Sequence, residues 1–274
     1  MPELPEVETV RRTLVDKLSG RTFAQIEILA PKFIRNMPAE EFRHRATGAR
    51  IEGLRRRGKY LIIDLSTGDE LVIHLKMTGR LLYLPAGEPL AKHTHVIFHL
   101  DDGHHLRYVD LRHFGGLHLL GPGRDGAPQG LETLGPEPLT PAFTLDYLGR
   151  ALARRKTKIK PLLLDQTFIA GLGNIYADEC LYEAGIHPER PAYTLTEAEV
   201  EKLYHAIGRI LQWSIESGGT TFSTYVDGQG RKGRFAQNLR VYRREDQACP
   251  RCGAPVRRLV LGSRSAHFCE VCQK

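Results

Sequence analysis

Four of the five cysteines fall into two Cys-x-x-Cys pairs, CPRC at 249–252 and CEVC at 269–272, with 16 residues between them. Each pair turns tightly enough to offer two thiolates to one ion. Four sulfurs at tetrahedral positions satisfy Zn²⁺ and leave no coordination position open. Cys249, Cys252, Cys269 and Cys272 are therefore expected to hold one zinc ion, structural rather than catalytic. Gly253 and Gly262 suit the turns of a small β-ribbon that depends on this staple to fold. Cys180 stands alone in a helical pattern and reads as a buried apolar residue.

A second set of reactive groups lies at the amino end, MPELPEVETVRR. Pro2 follows Met1, and removal of Met1 would expose a secondary amine. An α-amine has a pKa near ~7.7–8.0, so a useful fraction is unprotonated at neutral pH. Attack of such an amine on a carbonyl-level carbon gives an iminium ion, a strong electron sink. Glu3 and Glu6 lie close enough in sequence to move protons. A Met-Pro start is common, and by itself it fixes no chemistry.

Those residues need a scaffold. Val7, Val10, Leu14 and Leu18 fall on one face of a helix over 5–18. Pro5 fits the first turn and Glu6 and Glu8 suit the positive helix end. Between about 22 and 120, β-rich runs recur (TFAQIEIL, YLIIDLS, ELVIHLK, HVIFHL, HLRYVD), separated by turns such as STGDE and DDGHH. This pattern predicts an antiparallel sandwich or barrel. In the stretch 121–141, ten of 21 residues are Gly or Pro, which marks a linker. Residues 144–217 read as helical, with a clear stripe of Leu203, Ile207, Ile210, Leu211 and Ser214. The Gly-rich, polar stretch 218–238 reads as a long loop of the kind that is usually functional or disordered.

Charge is unevenly placed. Residues 231–274 hold 11 Lys/Arg against 3 Asp/Glu, whereas the whole chain carries a net charge of +7. RALARRKTKIK, 150–160, adds six basic residues and no acid. Basic patches on a near-neutral body fit a polyanionic partner. No apolar run approaches the length of a membrane span, and the amino end lacks the apolar core of a secretory signal. A disulfide framework is accordingly not expected.

Four separated segments carry a resemblance. MPELPEVETVRR resembles the N-terminal signature of the formamidopyrimidine-DNA glycosylase family, bacterial enzymes that remove 8-oxoguanine and ring-opened purines. GLGNIYADE (171–179) is similar to that family's helix–two-turn–helix motif, GGTTFSTYVDGQG (218–230) to its base-capping loop, and the paired cysteines to its zinc finger. The resemblance implies an α+β chain. Residues 1–130 would form a catalytic β-sandwich with a leading helix. Residues 131–240 would form a helix–two-turn–helix DNA-binding domain with the lesion-capping loop. Residues 241–274 would form the zinc finger.

It also implies a bifunctional glycosylase and AP lyase. Pro2 would attack C1′ of the damaged nucleotide, and Glu3 would help open the sugar ring and shuttle protons. β- and then δ-elimination would follow, with Glu6 orienting the helix. Lys59, in RRRGKYL, matches the family's phosphate-binding lysine at the active site. Met77, Arg112 and Phe114 match its wedge, which fills the space left by an extruded nucleotide. His93, Lys160, Asn174 and Arg264 complete the expected DNA contacts, with Arg264 near the tip of the ribbon. Met77 and Phe114, taken without the resemblance, would read as core. The implied partner is double-stranded DNA containing oxidised purines. The chain is expected to be a monomer in the bacterial cytoplasm, associated with the nucleoid. The nearest alternative is the sister branch of endonuclease VIII-like enzymes, which act on oxidised pyrimidines. LPEVETVRR and DLRHFG favour the purine branch. A non-catalytic zinc-ribbon DNA-binding protein is the alternative of another class.

Overall fold

A computed structural model describes all 274 residues, which form two compact units. One comprises Met1–Glu132 with Ser217–Arg234, the other Thr133–Glu216 with Phe235–Lys274.

The first unit opens with α1, Leu4–Leu18. Val7, Val10, Leu14 and Leu18 are all buried, as the helical spacing predicts. Glu3 and Glu6 form a reciprocal capping box in which Glu6 Oε2 accepts from the Glu3 amide at 2.8 Å. Two four-stranded antiparallel sheets follow. Their strands are β1 (Phe23–Ile28), β2 (Ile51–Arg57), β3 (Tyr60–Leu65), β4 (Glu70–His74), β5 (Gly79–Pro85), β6 (Thr94–Leu100), β7 (His104–Asp110) and β8 (Gly116–Leu120), with α2 (Ala39–Ala46) between β1 and β2. The sheet orders are β1-β6-β7-β5 and β2-β3-β4-β8. Alternate residues of both sheets share one core: Leu61, Ile63, Leu71, Ile73, Leu117 and Leu119 from one, Leu81, Val96, Phe98, Leu106 and Tyr108 from the other. This is the two-residue period of a sandwich, with α1 packed on β2 and β3.

Three strands lack a clear alternation in the sequence. β2 carries a bulge between Ile51 and Gly53, which shifts its period, and its exposed positions are charged. β5 buries the adjacent Leu81 and Leu82, and β8 is only five residues long.

The second unit is helical: α3 (Leu145–Ala153), α4 (Ile159–Leu164), α5 (Asn174–Ala184) and α6 (Glu197–Glu216). Thr144 caps α3 by accepting from the Tyr147 amide at 3.0 Å. Gly185, at φ 75°, ends α5 in a left-handed conformation. Leu203, Ile207, Ile210, Leu211 and Ser214 of α6 are all buried, and the four apolar ones belong to the helical core. The ribbon at the chain's end pairs β9 (Arg257–Leu261) with β10 (Arg264–Phe268) through a turn at Gly262, φ 61°. Its own small core comprises Tyr182, Val241, Cys249, Val256 and Cys269. No helix is long and apolar enough to cross a membrane.

The stretch that follows α6, Ser217–Arg234, packs with the first unit. Tyr225 enters the sandwich core, which explains how so polar and Gly-rich a loop acquires a fixed conformation.

Candidate active site and nucleic-acid interface

Pro2, Glu3 and Glu6 are buried at the start of α1, with Glu3 and Glu6 only 3% and 1% exposed. Burial of two carboxylates within one turn costs free energy unless donors face them. Glu6 meets that need twice, since Oε2 holds the Glu3 amide and Oε1 accepts from the Thr220 amide at 2.7 Å. Its carboxylate thus ties the first residues of the chain to the 217–234 loop. The Tyr225 hydroxyl donates to the Glu6 carbonyl at 3.2 Å, and the Gly228 amide donates to Thr13 Oγ1 at 3.0 Å. Gly228 also gives its carbonyl to the Tyr83 amide. A Cβ on Gly233 would stand 2.2 Å from the Gly219 carbonyl, so only glycine closes the base of this loop. Phe222, near its tip, stays 41% exposed. The expectation that Glu6 orients rather than reacts fits both bonds. The loop anchors Thr220 and Tyr225 were not legible in the sequence.

Lys59 lies in the tight turn joining β2 to β3, after Gly58 at φ 57°, and is buried apart from 7% of its surface. The same hairpin is pinned to α1 through Arg56, whose Nε donates to Glu8 Oε2 at 3.2 Å. Burial by itself raises a carboxyl pKa, yet hydrogen bonds from Arg11 and Arg12 and the charges of Arg11 and Arg56 hold Glu8 down at about 2. This ion-paired junction fixes the hairpin that bears Lys59 relative to the helix that bears Pro2 and Glu3.

Met77 sits in the β4–β5 turn, 38% exposed. Gly79 makes the turn possible, because a Cβ there would come within 2.5 Å of the Leu75 carbonyl. Arg112 and Phe114 are exposed in the β7–β8 loop, with the guanidinium 4.9 Å from the Phe114 ring centre. Phe114 is 53% exposed, too open for a core residue. His93 is half-buried at φ 67°, 6.0 Å from the His113 ring, and its carbonyl accepts from the Asp110 amide at 3.1 Å.

In the second unit, Asn174 is the first residue of α5, after Gly173, where helix amides favour an anion. Its Oδ1 is buried without a hydrogen-bond partner, and its Nδ2 lies 3.5 Å from Ser265 Oγ. Turning the carboxamide over lets Ser265 donate to Oδ1 and presents Nδ2 as a donor to a bound anion. Arg264 is exposed, one residue past the ribbon turn.

Lys160 departs from the expected surface contact with a phosphate. It is fully buried, with Nζ 2.6 Å from Asp178 Oδ1 and bonded to the Ser265 carbonyl. A cation already neutralised by a buried carboxylate has no charge left to offer at the surface. Its place is structural: Asp178 Oδ2 also takes the His267 amide at 3.0 Å, so the pair fastens β10 to α5.

The four paired cysteines place their sulfurs within 4.8 Å of one another. Cys249 is pushed down to about 6 although burial acts the other way, because the Tyr182 hydroxyl and the Arg251 and Cys252 amides hydrogen-bond to it. Cys272 is pushed up to about 12 by burial and by the neighbouring sulfurs. Four thiolates this close need a shared cation, and an all-sulfur tetrahedral set fits one structural Zn²⁺. Cys252→Ser is expected to lose zinc and at least tenfold in DNA affinity together, because Arg264 loses its scaffold. Zinc content by atomic absorption, alongside binding to duplex, checks this; a full equivalent of zinc in the variant contradicts the ligand assignment.

Sandwich, two-turn helical unit and cysteine ribbon together define a zinc-finger DNA glycosylase architecture. Three family profiles match in order: the formamidopyrimidine-DNA glycosylase N-terminal domain over residues 1–117, its H2TH domain over 134–226, and a zinc finger found in FPG and IleRS over 246–274. The formamidopyrimidine-DNA glycosylase of Pelotomaculum thermopropionicum is 50% identical over 100% of this chain and 99% of its own length. That of Listeria monocytogenes is 42% identical over the full length of both. The structure is similar to Lactococcus lactis Fpg in complex with DNA containing an abasic site, at TM-score 0.92 and 38% identity, with 99% of each chain covered. It is also similar to the same protein with Fapy-dG-containing DNA, at TM-score 0.90 and 37% identity, covering 99% of this chain and 100% of that one. The chain belongs to the formamidopyrimidine-DNA glycosylase family.

Proposed function

We propose that this chain is a bifunctional DNA glycosylase and AP lyase of base excision repair. It excises 8-oxoguanine and formamidopyrimidines from duplex DNA, acting as a monomer at the nucleoid in the bacterial cytoplasm. The observation that carries the reading is the buried Pro2–Glu3 helix start, strapped through Glu6 to a loop with an exposed Phe222.

With Met1 removed, the Pro2 nitrogen lone pair attacks C1′ of the extruded nucleotide. The C1′–base bond breaks and the base leaves with that electron pair, while the proton shed by the Pro2 nitrogen passes to the departing base. Glu3 protonates O4′ as the sugar ring opens, which leaves a C1′ iminium on Pro2. The iminium acidifies C2′; loss of that proton expels the 3′-phosphate, and a second elimination expels the 5′-phosphate. Hydrolysis of the iminium restores the amine and leaves a one-nucleoside gap. Lys59 holds a phosphate beside the lesion. Asn174 and Arg264 grip further phosphates, and His93 supports the contact. Residues 1–130 supply the chemistry, 131–240 the helical grip and the lesion-capping loop, and 241–274 the zinc finger, whose metal takes no part in the reaction.

Product analysis on 8-oxoguanine opposite cytosine against thymine glycol tests the substrate class. Release of 8-oxoguanine with strand scission is expected, and a preference for thymine glycol contradicts it. Grip and wedge separate by salt. Arg264→Ala is expected to weaken binding to lesion and normal duplex alike, and to flatten the slope of log K against log salt by about 0.9, the share of one phosphate contact. Met77→Ala is expected to leave that slope unchanged and to reduce lesion discrimination, since the wedge offsets the unstacking cost. A flattened slope in Met77→Ala, with Arg264→Ala altering only lesion preference, reverses the two roles.

A further inference from the structure

Asp110 ends β7 with none of its surface exposed. Its Oδ1 accepts from the Thr78 hydroxyl at 2.6 Å and the Arg112 amide at 3.2 Å. Its Oδ2 accepts from the Gly115 amide at 2.9 Å and the Tyr108 hydroxyl at 3.4 Å. Thr78 closes the figure, since its Oγ1 accepts from the same Arg112 amide at 2.9 Å. The Asp110 backbone is held as well: its amide donates to the His93 carbonyl, and His95 Nε2 stands 2.8 Å from its carbonyl oxygen. Every one of these donors to the carboxylate is a neutral hydroxyl or backbone amide. Burial alone would raise the carboxyl pKa, but the Thr78 hydroxyl and the loop amides keep it below the ordinary range.

The partners come from two separate turns. Thr78 follows Met77 in the β4–β5 turn, and Arg112 and Gly115 bracket the loop that carries Phe114. Gly115 leaves no latitude, because a Cβ there would lie 2.0 Å from the Tyr108 hydroxyl. A single carboxylate has two oxygens and enough lone pairs to accept from both turns at once. An apolar residue or an amide at this position would leave donors unpaired in the interior.

We propose that Asp110, with Thr78, is the positioning pair that joins the Met77 turn and the Arg112–Phe114 loop into one rigid wedge, so that all three side chains enter the duplex in register. The inference rests on the reading of those three residues as the wedge. Asp110 is wholly buried and the Thr78 hydroxyl is committed to it and to the Arg112 amide, so the pair acts through the geometry of the loops.

The test compares Thr78→Val, which keeps shape and removes both bonds, with Thr78→Ser, which keeps the hydroxyl. Single-turnover excision from an 8-oxoguanine duplex is expected to slow about tenfold or more in Thr78→Val, the scale of one or two buried hydrogen bonds, and to recover in Thr78→Ser. Borohydride trapping on a single-stranded abasic oligonucleotide, which has no stacked base to displace, is expected to match the unaltered chain in both variants. A cycle of Met77→Ala, Phe114→Ala and their double variant is expected to be non-additive in the unaltered chain and additive in the Thr78→Val background. Asp110→Asn is expected to act in the same direction; if it fails to fold, the threonine pair still decides. Excision by Thr78→Val at the unaltered rate, or coupling that persists in its background, overturns the proposal. Failure of the unaltered chain itself to be trapped on abasic DNA counts against the Pro2 chemistry and leaves the wedge result to be judged by binding in the same cycle.

Discussion

A chain whose Pro2 nitrogen remains acylated is expected to bind lesion duplex and to give neither a borohydride-trapped adduct nor strand scission. The mechanism needs a nitrogen lone pair at Pro2, and an amide nitrogen has delocalised its own into the carbonyl. The loss should therefore be complete rather than partial, whereas affinity, supplied by phosphate contacts elsewhere, should persist. A retained or formylated Met1, verified by intact mass, supplies the blocked chain. Pro2→Gly sharpens the comparison, because it restores a primary amine and should recover some lyase activity. Unchanged trapping by the blocked chain removes Pro2 from the reaction.

Glu3→Gln is expected to keep lesion binding and to lose at least about a hundredfold in base excision, the usual contribution of a positioned proton donor. The carboxamide keeps the shape of the side chain but cannot cycle a proton. Fold loss is not expected to account for the effect, since the glutamine carbonyl can still accept from the Glu6 amide, and the Glu6 carboxylate still holds the residue 3 and Thr220 amides. Single-turnover excision set against equilibrium binding separates the two. Near-normal excision by Glu3→Gln takes that carboxylate out of the chemistry.

Much of this architecture is written in local patterns. The three- and four-residue spacings of α1 and α6 and the Cys-x-x-Cys pairs are short-range signals, and each specifies its own element. Strands that form a short β-rich run, such as β6, are equally legible. β2 was not, because its bulge breaks the two-residue period. Lys160 reads as one member of a basic run; its burial against Asp178 depends on a partner 18 positions away, and on β10 beyond it. Asp110 and Thr78 carry no periodic or spacing signal, since their meaning arises only when two turns from different strand pairs meet. Glu6 is intermediate: its place at the positive helix end is visible in the sequence, but its bond to Thr220 spans 214 positions.

Whether the N-terminal proline carries the covalent chemistry is decided by locating the borohydride-reduced adduct. The protein is trapped on an 8-oxoguanine duplex, digested with trypsin, and the modified peptide is sequenced by mass spectrometry. A single modified peptide is expected, Pro2–Arg11, lacking Met1 and bearing the sugar remnant on the Pro2 nitrogen. An adduct on Lys59 or any other lysine, with Pro2 unmodified, contradicts it.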